Sequence, residues 1–202
     1  MEWIDGVSQC WWLSKTCAID WDAWSSIGTM LGVLTALLGP AVRRFFASRR
    51  VSAIFAAAYA PDLSDSVYRI KEFRKAYSFS DNGGEGGAAR IALKDDKELQ
   101  TAALALASDL GRLTSAEVDL SKFPDVNTVL AADVSRSVFF AREISRLAGL
   151  IELVNDQVTV DDWNKFCDAF ERNLDDGLAV IEHAAKATRN ALVRMSILKS
   201  FR

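Results

Sequence analysis

Histidine is almost missing from this chain, since His183 is the only one in 202 residues. Any Ser-His-Asp or Cys-His constellation would have to be built around it. It stands between Glu182 and Ala184, off the apolar line of its own segment, which predicts a solvated side chain. Cysteine is scarce as well. Cys10, Cys17 and Cys167 form no CxxC pair and no zinc spacing, so neither a metal nor another cofactor is expected. Basic charge is not in excess: the net charge of −3 gives no general pull towards nucleic acid, and no nucleic-acid partner is expected. The pairs Asp95–Asp96, Asp161–Asp162 and Asp175–Asp176 are adjacent in sequence and point different ways on a helix, as on a wet face. Gly83, Gly84, Gly86 and Gly87 could suggest a phosphate cradle. The Walker pattern then needs a lysine and a hydroxyl, and Ala88 and Ala89 stand there instead. That stretch reads as a flexible loop. No catalytic residue emerges, and the chain reads as a non-enzyme.

Charge is missing altogether from residues 23–42, AWSSIGTMLGVLTALLGPAV. Twenty residues at about 1.5 Å each span about 30 Å, the thickness of a bilayer's hydrocarbon core. The segment is therefore expected to be a transmembrane helix. Its flanks set a direction. Glu2, Asp5, Asp20 and Asp22 precede it against a single base, Lys15, while Arg43, Arg44, Arg49 and Arg50 follow within eight residues. The positive-inside rule keeps the arginine end cytoplasmic. The expected topology is single-pass in a plasma membrane, a bacterial inner membrane by preference, with the N-terminus outside. A cleaved signal peptide fits worse, because the leader is acidic and long. A helix buried in a soluble core is the stronger competitor, since glycines, serines and threonines make the run only moderately apolar.

Aromatic residues favour the bilayer. Trp21 and Trp24 stand at the outer end, Phe45 and Phe46 just past the inner end, and tryptophan prefers the headgroup region. Together with the four arginines they make the candidate membrane interface. Five of the six tryptophans fall in the first 24 residues, so residues 1–22 read as a tryptophan-rich exterior tail that lies on the outer leaflet or on a partner. Within the tail, Cys10 and Cys17 either pair, closing the loop WWLSKT, or remain two thiols; spacing alone does not decide. Cys167 falls among apolar residues and reads as a small core residue. In the span, Gly28, Gly32 and Ala36 recur every fourth residue, which puts small residues on one face where two helix backbones could approach. Ser25, Thr29 and Thr35 lie near that face and could add hydrogen bonds between helices.

Residues 43–60 read as a basic juxtamembrane helix, continuing the span or gripping anionic headgroups. Pro61 is expected to break it, and residues 61–202 to form a cytosolic α-helical domain. Leu63, Val67, Ile70, Phe73 and Tyr77 line one helical face. A third helix is expected from about Asp95 to Leu113, then a capping box at Thr114–Glu117, then a fourth helix from Pro124–Asp125. Phe139 and Phe140 widen the apolar stripe of that helix. Thr159 with Asp162 caps a last helix that runs nearly to Phe201, breaking at Gly177 or projecting beyond the bundle. Arg90–Lys94 is ambiguous between strand and helix.

The fold class expected is all-α: one transmembrane helix followed by a bundle of about four helices with a long C-terminal helix. The leading functional expectation is a membrane-anchored interaction module that self-associates through its span and holds a cytosolic protein partner at the bilayer. The second is a membrane-perturbing effector, such as a toxin or defence component, acting through assembled spans. The third, an enzyme, would need a site built from distant residues.

Overall fold

A computed structural model describes residues 21–79, 86–154 and 157–200. Among them the chain is all-helical, without strands. The six helices are α1 (Trp21–Ala76), α2 (Gly86–Lys94), α3 (Lys97–Asp109), α4 (Gly111–Thr114), α5 (Thr128–Ile151) and α6 (Val160–Ser200), with a 3-10 turn at Leu120–Lys122. The chain divides into two compact units, residues 1–47 and 48–202.

In the first unit, α1 carries the uncharged run with almost every side chain from Trp24 to Val42 exposed. It is the one helix among the described residues long and apolar enough to cross a membrane, and none of its most apolar window is buried. The expected break at Pro61 does not occur, and α1 also passes Pro40 without ending. A proline in a helix forfeits one bond to the carbonyl four residues back. Pro61 and Ala57 both lie on the exposed side of α1, so the orphaned carbonyl meets solvent at low cost.

The second unit closes its own core. Phe55, Tyr59, Leu63, Ile70 and Phe73 of α1 are buried with Leu99, Leu106, Leu113, Val134, Ile144, Trp163, Phe170 and Ile181. Ser52, Ala53, Phe55, Ala56 and Tyr59 are thus buried with the bundle, although they precede Pro61. Helices α5 and α6 run antiparallel, with Gly177 against Phe140 and Ile144 and His183 beside Asp133. Helix α6 is also antiparallel to α1, since Lys71 pairs with Glu182 and Arg74 with Asp175. The loop before α5 is stitched to α1: Tyr59 donates to the Glu117 carbonyl (3.0 Å), Phe123 packs edge-on against Phe55, and the Asn127 N–H donates to Ser52 Oγ (2.9 Å).

Caps set several helix starts. Asp96 accepts from the N–H groups of Glu98 and Leu99, and Asn127 from those of Val129 and Leu130. The fourth long segment therefore begins at Thr128, not at Pro124–Asp125, which form a turn. Thr114 ends α4 and donates to Gly111, so no capping box opens there; Asp119 caps the 3-10 turn instead. Thr159 and Asp162 do cap α6 as their spacing predicts. Gly86 and Gly87 open α2, which makes Arg90–Lys94 helical rather than extended. Arg90 is held by a bond to the Phe79 carbonyl (2.9 Å) and an ion pair with Asp168 (2.8 Å), and its own carbonyl accepts from the buried Trp163 indole. Helix α6 is continuous through Gly177.

Candidate functional site

The feature that demands explanation is the bare apolar segment of the first unit. Met30, Leu31, Val33, Leu34, Leu37, Leu38 and Val42 are all exposed, Leu37 at 69%. Covering such a side chain is worth about 2 kcal/mol. Seven of them amount to something on the order of 10 kcal/mol, comparable to the whole net stability of a domain. A surface of that kind marks a membrane or protein contact. The reading of this segment as a helix buried within a soluble core is not met, because no part of the described chain covers it.

On the small-residue face, a Cβ built on Gly28 or Gly32 meets nothing within 4 Å, and Ala36 is exposed. The hydroxyls beside it behave differently from the sequence reading. Thr29 Oγ1 donates to the Ser25 carbonyl (2.8 Å) and Thr35 Oγ1 to the Leu31 carbonyl (2.7 Å), both within α1. The donors are used inside their own helix, which is how a threonine is accommodated where no water is at hand. Thr29 and Thr35 therefore spend their donors inside α1 and not on a second helix.

At the flanks, Trp24, Arg43, Arg44, Phe45 and Phe46 are exposed, and the two phenylalanine rings stand edge to face at 5.7 Å. Arg49 and Arg50, in the second unit, are exposed as well. The possible Cys10–Cys17 disulfide, the tail tryptophans and the side chain of Trp21 lie outside the described residues.

His183 is 71% exposed and sits 3.5 Å from Asp133. Cys167 is fully buried, and burial pushes its thiol up to about 12. Glu171 is raised too, first by burial and then by Asp175, against the lowering pull of Arg74 and Arg90. Among the described residues, no three His, Cys, Asp or Glu side chains are grouped so as to hold a metal ion.

Sequence reasoning overlooked a set of exposed apolar residues on the second unit, Ile54, Leu120, Val129, Phe139 and Val193. Phe139 was expected to widen a covered stripe; it faces outward, while Phe140 turns in against Gly177. Adjacent phenylalanines on a helix differ by about 100° in direction, so only one of them can join the core line. Comparison with family models, with curated proteins and with solved structures finds no match.

Proposed function

We propose that this protein is a single-pass membrane-anchored helical interaction module. Its span associates with other copies through Gly28, Gly32 and Ala36, and its helical bundle holds a protein partner on the cytoplasmic side. One observation carries the reading: an uncharged helix segment of bilayer length has no cover among the described residues, while the second unit completes its core without it. Lipid is the solvent that suits such a surface. The arginines after the span and the acids before it support an N-out, C-in orientation in a plasma membrane. The partner role is supported by Phe139, a large ring 58% exposed on the outer side of α5.

The test is made in intact membranes. Alkaline carbonate should leave the full-length protein in the vesicle pellet, and cross-linking should yield homo-oligomers together with a co-purifying soluble protein. Release by carbonate would end the anchoring reading. A lone monomer under cross-linking would end the association and partner readings while leaving the anchor.

A further inference from the structure

Arg43 stands on the face of α1 that the small residues mark. Gly39 lies seven residues beyond Gly32 and Arg43 eleven, which is two and three turns of helix. Both positions are therefore within about 20° of Gly32 around the helix axis. A Cβ built on Gly39 meets nothing within 4 Å, and the Arg43 side chain is exposed. Arg44 is exposed too, but it is turned from Arg43 by about 100° and points to another side. All of these residues belong to the first unit.

This arginine has no counter-charge along the helix. From Ala23 to Pro61 the chain holds four arginines and no acid. When two copies meet across Gly28, Gly32 and Ala36, each brings its Arg43 to the inner end of the contact. Helices joined at small residues cross at about 40°. Arg43 lies about 16 Å along the axis from Gly32, where two such helices stand roughly 13 Å apart. Two like charges then face each other across a narrow gap at the edge of the hydrocarbon, where they are screened less than in water. Their repulsion opposes the association until an anion lies between them.

The chemistry of guanidinium selects that anion. Its planar donors match phosphate oxygens two at a time, so one phosphate can be shared between two arginines. At the level where the span leaves the hydrocarbon, phosphate is supplied by lipid headgroups. A zwitterionic headgroup brings its own cation with the phosphate, whereas an anionic one brings net negative charge.

We infer that the associated span binds anionic phospholipid, whose phosphate sits between the Arg43 side chains of two copies and neutralises them. This rests on the proposed association through Gly28, Gly32 and Ala36. Self-association is then governed by the lipid composition of the leaflet at the arginine end, and it weakens where anionic lipid is scarce.

The test uses the full-length chain in vesicles, with Cys10 and Cys17 replaced by serine and Asn190→Cys carrying a donor or an acceptor dye. Energy transfer between copies, followed as the protein is diluted in lipid, reports the association. In vesicles with about 30% phosphatidylglycerol it should be about five-fold tighter than in phosphatidylcholine alone, the worth of one basic residue at an anionic surface. Arg43→Gln should associate equally in the two lipids, because it removes the repulsion along with the ligand site. Arg44→Gln, off the face, should keep the five-fold difference. Inorganic phosphate added to phosphatidylcholine vesicles should not replace the lipid. Equal association of the parent in both lipids, a difference that survives Arg43→Gln, or full recovery with inorganic phosphate overturns the inference alone. Absence of energy transfer in either lipid, or transfer in Gly32→Leu equal to that of the parent, overturns the association reading and this inference with it.

Discussion

Gly177 of α6 lies so close to α5 that a Cβ added to it would stand 2.7 Å from Ile144 Cδ1 and 3.3 Å from Phe140 Cβ. The glycine lets α5 and α6 approach at their crossing. Gly177→Ala gains up to about 1 kcal/mol of helix propensity but overpacks a core site, at about 1–3 kcal/mol. Ile144 is fully buried, so its methyl has nowhere open to turn. The expected net is a loss of about 1 kcal/mol, or a melting temperature lower by about 2–4 °C. Thermal unfolding followed by circular dichroism checks it; a raised melting temperature would mean that the crossing has slack.

Glu171 gives a pH signature. Burial, followed by the charge of Asp175, raises its carboxyl above the ordinary Glu range. A group whose folded value exceeds its unfolded value contributes stability that is full below the unfolded value and lost as pH rises through the folded one. Ionised Glu171 is thus a small cost at neutral pH, under about 1 kcal/mol at a site this open to solvent. Glu171→Gln should melt slightly higher than the parent at pH 7, and the gap should close as pH falls towards about 4.3. The measurement is melting temperature against pH for both chains. A gap that is constant or widens on acidification rules this account out.

Cys167 should be chemically silent while the bundle is folded. Thiolate, not thiol, reacts with alkylating and disulfide reagents, and burial holds this thiol protonated, up to about 12. In a chain with Cys10 and Cys17 replaced by serine, Ellman's reagent at pH 8 should register no thiol natively and one in denaturant. Rapid native labelling would show that α6 opens locally around Phe166 and Phe170, which pack near it.

The fold was largely legible because its helices announce themselves by pattern. Leu63, Ile70 and Phe73 recur at helical spacing and are buried; Thr159 and Asp162 spell a cap and form one. The errors arose where tertiary packing overrides local chemistry. Pro61 reads as a break because a lost hydrogen bond is counted, whereas its exposed position is a property of the bundle. Gly177 reads as a weak point of a helix when it is the reason two helices meet. The uncharged run of α1 was the plainest feature, its lack of charge being visible residue by residue. The antiparallel register of α5 against α6 was not, because only the Gly177 and Asp133 contacts disclose it.

In the proposed function, association through the span turns on Gly32, whose missing side chain leaves an open patch on α1. Where lipid surrounds two helices there is no hydrophobic gain in their meeting, so close packing at small residues must supply it. Gly32→Leu places a bulky side chain on that face and should weaken association about ten-fold, corresponding to roughly 1.4 kcal/mol. Leu34→Ala, on the opposite side of the helix, should leave it unchanged. The measurement is the oligomer fraction by cross-linking in membranes at matched expression. Equal oligomer in both variants would place the association elsewhere. The same pair separates the two membrane readings: an anchored module leaves the potential intact on overexpression. An effector working through assembled spans depolarises cells in the parent and in Leu34→Ala, but not in Gly32→Leu.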